Sequence, residues 1–263
     1  MLWIAIVLGI VEGLTEFLPV SSTGHLILAG RLLGLEGKRA EVFEVFIQLG
    51  AVLAVVWEYR SRLVGLATTL PSSREARSTV TNLLVAFLPA AVVGLLLHHA
   101  ISEHLFTPLT VAAALATGAI LILVVEATLR SARTTSTAGI STAQAIAIGL
   151  AQCVSLWPGF SRSAATILGG MTAGLDRRTA TEFSFLLAIP TLGAATVYDL
   201  LKNRAALEPG DLGALLLATA VSFVVAWIAI RWLIRYVATH DLRPFAWYRL
   251  ALAAVVFLRG QLP

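Results

Sequence analysis

The sequence predicts an all-α integral membrane protein, and three observations lead there. Of the 263 residues, 58% are hydrophobic and 13% charged, whereas a soluble domain carries about 25% charged residues. Mean hydropathy is +0.86. Apolar windows recur close to the ~20 residues that cross ~30 Å of hydrocarbon as a helix. Two more apolar regions are each broken midway by a cluster of Pro, Gly and Ser. The one cysteine, Cys153, excludes an internal disulfide and a zinc knuckle built from thiolates. The net charge of +4 comes with no basic stripe interleaved with aromatics, so no nucleic-acid partner is expected. The opening "MLWIAIVLGIVEGLTE" lacks the basic start and cleavage site of a signal peptide and is expected to stay in the mature protein.

In chain order, Met1–Leu33 is the first broken region, split at "LPVSSTG". Spans follow at Val42–Trp57, Val80–His98 and Leu109–Leu129. The second broken region, Ala143–Thr172, is split at "WPGFSRS" and precedes spans at Ala180–Leu200, Leu212–Leu233 and Phe245–Leu258. Each half of a broken region is too short to cross, which predicts six transmembrane helices plus two re-entrant helix-loop-helix segments. Non-helical backbone at membrane depth survives only inside protein or against a wet cavity. Both clusters should therefore face the interior of the bundle.

Laid over itself at an offset of 140, the chain matches without a gap. Gly9 meets Gly149, Glu12 meets Gln152, Phe17 meets Trp157 and Ser21 meets Ser161; "GLE" at 34–36 meets "GLD" at 174–176. This predicts a single membrane domain, 1–263, made of repeat one (1–130) and repeat two (141–263). Three spans per repeat would invert the second copy, as in transporters whose sites lie where broken helices meet. Loop Lys and Arg number eleven on one side (60, 62, 74, 77, 130, 133, 177, 178, 231, 235, 243) against six on the other (31, 38, 39, 202, 204, 259). The first side is thus expected to be cytoplasmic, with the first re-entrant mouth outside.

The broken regions also hold the chemistry. In "PGFSRSAAT", Arg162 lies in an apolar region between Ser161 and Ser163, with Thr166 four positions on. An intramembrane charge is a functional candidate by default. A guanidinium presents forked donors that match phosphate oxygens, and a helix N-terminus after the Pro-Gly break adds more. Alternatively, Arg162 pairs with Glu12 or Glu16 and holds the repeats together; the two readings are compatible. Glu12 and Glu16 share one helical face and repel unless they share a cation, a proton or an arginine. A bridging Mg²⁺ or Ca²⁺ is one outcome; a protonated, hydrogen-bonded carboxyl is the other. Ser21, Ser22 and Thr23 follow Pro19, where hydroxyls cap helices, and His25 is near enough to exchange a proton with them. A cation, hydroxyl nucleophiles, an imidazole and paired carboxylates together meet the needs of phosphoryl transfer. The substrate should be amphiphilic, with its tail in lipid.

"EGLTEFLPVSSTGHL" and "PGFSRSAAT" resemble the two signature motifs of the undecaprenyl pyrophosphate phosphatase family, the bacitracin-resistance membrane phosphatases of bacteria. The resemblance continues through "FEVFIQLGAVLAVV" and "EFSFLLAIP". It implies hydrolysis of undecaprenyl diphosphate to the monophosphate plus phosphate, recycling the lipid carrier of peptidoglycan synthesis. It further implies a multi-pass protein of the bacterial inner membrane, a site opening to the periplasm, dependence on Mg²⁺ or Ca²⁺, and a homodimer. By motif position, Ser22, His25 and Glu16 are the implied catalytic residues, and Glu12 and Glu16 the metal ligands. Ser21, Ser161, Arg162 and Thr166 would bind the diphosphate, joined by Gln48, a polar residue inside the first span. Either Ser22 attacks with His25 as base, or water attacks with Glu16 or His25 as base. No His follows "SRSAATILGG" until His240, which opposes the phosphohistidine route of the type-2 phosphatidic acid phosphatases. The rival class is a prenyl-phosphate transporter or flippase, motivated by the inverted repeat.

Overall fold

A computed structural model describes residues 1–35, 37–128, 132–203 and 209–260. Arg130, Arg204 and Glu36, used above for sidedness and for the repeat, lie outside the described residues, as does the side chain of Arg259. The described chain forms eleven α-helices: α1 Leu2–Thr15, α2 Ser22–Leu33, α3 Lys38–Glu58, α4 Arg60–Thr69, α5 Arg74–His104, α6 Pro108–Thr128, α7 Thr142–Cys153, α8 Arg162–Thr172, α9 Arg177–Asn203, α10 Leu212–Val237 and α11 Arg243–Gly260.

Five of them, α3, α5, α6, α9 and α10, are long and apolar enough to cross a membrane. They hold the first five expected spans, apart from Leu129 at the end of the third, which lies outside the described residues. The sixth expected span, Phe245–Leu258, falls in α11, whose 18 residues include Arg243, Arg249 and Arg259. Those arginines leave it without an uninterrupted apolar stretch of span length. Helix α4 was not anticipated; it buries no side chain, so no apolar stripe marks it.

Both broken regions are pairs of short helices. Helices α1 and α2 have 14 and 12 residues, and α7 and α8 have 12 and 11. Fourteen residues rise only ~21 Å. Turn joins α1 to α2, and a 3-10 turn, Val154–Leu156, followed by irregular chain joins α7 to α8. Each connection ends on a serine with left-handed backbone, Ser21 at φ 73° and Ser161 at φ 78°. Among the described residues these are the two non-glycine positions with positive φ, and they are 140 positions apart. Positive φ is costly for an L-residue. Here it lets each serine turn the chain sharply and cap the helix that follows. Ser21 Oγ accepts from the Gly24 N–H and Ser161 Oγ from the Ala164 N–H.

Close helix packing fixes where the turns sit. Helix α1 packs on α10, and α7 packs on α5. A Cβ at Gly9 would stand 2.7 Å from the Ala218 carbonyl oxygen, and one at Gly149 would stand 2.6 Å from that of Ala86. Small residues let helix backbones approach this closely inside a membrane. Helix α3 lies along α10, where Ser222 and Thr219 donate to the Ile47 and Phe46 carbonyls. Phe17, Ile167, Phe185 and Leu187 belong to the main core, beneath both turns.

The loops sort into two ends. Arg62 bonds Thr137, the Arg133 N–H donates to the Gly174 carbonyl, and Glu126 accepts from Arg177 and the Leu242 N–H. These contacts gather α4 and the α6–α7, α8–α9 and α10–α11 connections at one end, where most of the eleven loop arginines lie. At the other end Arg39 pairs with Asp211, and Lys202 meets His98.

Candidate active site

Helix α1 places the carboxylates. Its buried stripe runs through Ile4, Ala5, Leu8, Gly9, Glu12 and Gly13, so Glu12 and Glu16 project inward by the same periodicity that buries the apolar residues. They are 2% and 7% exposed. Ser22, the first residue of α2, donates its hydroxyl proton to Glu16 Oε2 at 2.6 Å. The opposite turn supplies the cation. Arg162 is the first residue of α8, and its Nη2 lies 3.5 Å from Glu16 Oε1. Its Nη1 donates to the Ser184 carbonyl at 3.1 Å, and its guanidinium carbon lies 5.8 Å from the centroid of the Phe17 ring. Glu16 thus bridges the expected nucleophile and the expected cation.

Three buried polar atoms here make no hydrogen bond: Glu12 Oε2, Arg162 Nε and Arg162 Nη2, the last held only by its long ion-pair contact with Glu16. Buried polar groups are nearly always satisfied, so this is where a charged ligand would be rewarded. The site offers two guanidinium nitrogens to an anion and one carboxylate oxygen to a cation or a proton.

The remaining expected residues divide. Ser21 and Ser161 act as helix caps, and Ser161 Oγ also lies 3.0 Å from Ser163 Oγ. Ser163 in turn donates to the Leu18 carbonyl at 2.9 Å, tying the second turn to the first. The Thr166 hydroxyl is fully buried and committed to the Arg162 carbonyl and to Ser184 Oγ. It holds α8 against α9. Gln48 accepts from Thr196, linking α3 to α9. His25 does not bond Ser22: its Nδ1 donates to the Ser21 carbonyl at 2.7 Å, which leaves Nε2 to accept from the Tyr248 hydroxyl, also at 2.7 Å. His240 bonds Thr239 and Tyr236 outside this region.

Two residues of α11, Tyr248 and Arg249, belong here although nothing in the sequence singled them out. A tyrosine near an arginine in an apolar helix resembles an interfacial anchor, and only the fold shows that one touches His25 and the other both turns. Among the described residues no group of three or more His, Cys, Asp or Glu converges as a metal cage. Glu12 and Glu16 remain a two-carboxylate donor set, with Glu12 Oε2 free. That suits a cation that takes its other ligands from phosphate and water.

The long apolar helices are those of a multi-pass membrane protein, and its interior gathers two buried carboxylates and a buried arginine. Comparison makes the assignment specific. A family model described as "Bacitracin resistance protein BacA" matches residues 5–255, and the chain belongs to that family. It is 51% identical to an undecaprenyl-diphosphatase of Dechloromonas aromatica, covering 98% of this chain and 94% of the relative. It is 52% identical to undecaprenyl-diphosphatase 2 of Rhodospirillum rubrum, covering 96% and 92%. Identity to an undecaprenyl-diphosphatase of Nitrosomonas europaea is also 52%, covering 97% and 93%.

Proposed function

We propose that this chain is an undecaprenyl-diphosphatase, a multi-pass bacterial membrane enzyme that releases phosphate from undecaprenyl diphosphate and returns the monophosphate carrier to cell-wall synthesis. The observation that carries the mechanism is the contact chain Ser22–Glu16–Arg162 across the two turns. Arg162 binds oxygens of the terminal phosphate through Nε and Nη2, neither of which is committed to a hydrogen bond. Glu16 takes the Ser22 proton as Oγ forms a bond to the terminal phosphorus. The bond from phosphorus to the bridging oxygen breaks, and that oxygen leaves with the prenyl monophosphate. Water then releases phosphate from the serine, with the proton returned through Glu16. His25, held in one tautomer by the Ser21 carbonyl, has its Nε2 lone pair engaged by the Tyr248 hydroxyl, so in this reading Glu16 rather than His25 is the base toward Ser22. Fixed charges that need no reorganisation supply most of the rate enhancement in such a site.

Glu12 and Glu16 would hold a Mg²⁺ or Ca²⁺ ion, which when bound supplies neutralising charge to the phosphate oxygens. A cavity of about 310 Å³ of mixed polar and apolar lining opens beside α2, among Leu8, Leu26, Ile27, Arg31, Leu35 and Glu44. The two hairpins together with α3, α5, α6 and α9–α11 are read as an inverted pair of repeats. Support comes from the 140-residue spacing of the capping serines and from the matched packing of Gly9 and Gly149. In that reading α11 is the sixth crossing, the arginine-rich end is cytoplasmic and the α2 mouth opens to the periplasm. A homodimer is carried from the family resemblance.

Purified protein incubated with undecaprenyl diphosphate tests the proposal by phosphate release. A protein that moved labelled lipid between leaflets of a vesicle without releasing phosphate would replace it with the transporter reading. Trapping phosphoserine at Ser22 by acid quench separates serine attack from direct attack by water.

A further inference from the structure

We propose that Arg249 is a positioning residue for this reaction. It locks the two turns in register, so that Ser22 and Glu16 from one meet Arg162 from the other. The inference rests on the two-turn site described above and adds a residue that touches no reacting atom.

Arg249 is 0% exposed. Its guanidinium donates only to backbone carbonyls, and these come from three separate pieces of chain. Nη1 donates to Pro19 in the first turn at 3.2 Å. Nη2 donates to Gly159 and Phe160 in the second turn at 3.3 and 2.8 Å. Nε and Nη2 reach Leu115 and Ala114 of α6 at 3.2 and 3.3 Å. Pro19 and Gly159 stand 140 positions apart, so one side chain grips the same position of both turns. Among the described residues no carboxylate pairs with it. A buried charge without a counter-ion is expensive, and here carbonyl dipoles offset it, joined by the Phe160 ring, whose centroid lies 5.8 Å from the guanidinium carbon. Such an arrangement uses the spread of a planar fork, which a lysine ammonium cannot reproduce.

A second feature agrees. The guanidinium passes α6 at Gly118, where an added Cβ would fall on Nη2. Helix α6 therefore has no side chain where the arginine must pass. The peptide plane gives the grip a direction. With the Phe160 carbonyl held on Arg249, the following N–H, that of Ser161 at the start of α8, is sent the opposite way. Loss of the grip should alter the distance between Ser22 and Arg162 while leaving both side chains present. Misplacement by about 1 Å can cost on the order of a hundredfold in rate.

Arg249→Lys and Gly118→Ala, each in the full chain, test this through kcat, KM and melting temperature, with phosphate release from undecaprenyl diphosphate as the assay. Glu126→Gln is the structural control, because it removes the ion pair of buried Glu126 with Arg177, about two turns beyond Gly118 on α6. For Arg249→Lys we expect kcat per folded enzyme to fall by about thirtyfold or more, with KM within about threefold. Gly118→Ala should shift kcat the same way with Arg249 itself intact. Glu126→Gln should lower the melting temperature and leave kcat per folded enzyme unchanged. The proposal is overturned if Arg249→Lys keeps wild-type kcat, raises KM alone, or loses activity only in step with its folded fraction. Should Arg249→Lys fail to fold, wild-type kcat in Gly118→Ala would overturn it. Undiminished turnover by Arg162→Ala would instead bring down the two-turn site itself, so the two failures are distinguishable.

Discussion

The two hairpins use one backbone device for two chemistries. Each ends its turn on a positive-φ serine that caps a short helix, and the next residue is the reactive one: Ser22 in the first and Arg162 in the second. Their surroundings differ. Helix α8 is buried continuously from Ser163 to Met171, whereas α2 buries only Gly24 and Leu26. The second hairpin is an interior anchor that carries a fixed cation. The first is the more open flank, and it carries Ser22, Glu16 and His25, the residues proposed above as nucleophile and proton carriers. Position 12 against 152 shows the same divergence. Glu12 keeps an unpartnered carboxylate oxygen, while Gln152 spends its amide on the Ala86 carbonyl and on Thr191.

That comparison can be broken most severely at the two reactive positions. Ser22→Ala should reduce phosphate release by ~10³-fold or more and abolish phosphoserine in an acid quench. A rate near wild type would move attack to water. Arg162→Lys keeps the charge but loses the fork, and a drop of about tenfold to a hundredfold in kcat/KM is expected from steady-state kinetics. Recovery to the wild-type rate would show that charge alone suffices in the buried hairpin. Ser161→Ala removes a helix cap at a strained turn and should cost about 1 kcal/mol of stability, read from thermal unfolding in detergent. Its effect on activity should be smaller than that of Arg162→Lys. Thr166→Val is expected to have the smallest effect: a slightly lower melting temperature, with kcat/KM within about threefold, because its hydroxyl serves Ser184. A larger catalytic loss would place Thr166 against substrate after all.

The fold class was legible from composition because a membrane leaves few options: helices of span length, and broken helices only where protein shields them. Glu12, Glu16, Ser22 and Arg162 were legible because charge and hydroxyl are conspicuous against an apolar background. Less could be read of their pairing. Spacing put His25 near Ser22, yet the turn at Ser21 directs the imidazole to the Ser21 carbonyl and to Tyr248, and gives Ser22 to Glu16. Thr166 carries the same motif signal as Arg162 but points along α8 at α9. Helix α11 reads as an apolar helix in the sequence, and only the fold brings its Tyr248 and Arg249 to His25 and the two turns.

The sequence by itself determined which groups are available and at what depth, since hydrophobic periodicity and local turn chemistry act over a few residues. Only the tertiary structure decided which groups meet. Glu16 and Arg162 are 146 positions apart, and the carbonyls of Pro19, Leu115 and Phe160 meet on Arg249. Such meetings depend on close helix packing at Gly9, Gly118 and Gly149. The physical reason is range: capping and periodicity are local, whereas the charge-pairing and backbone satisfaction that build this site join segments the chain keeps far apart.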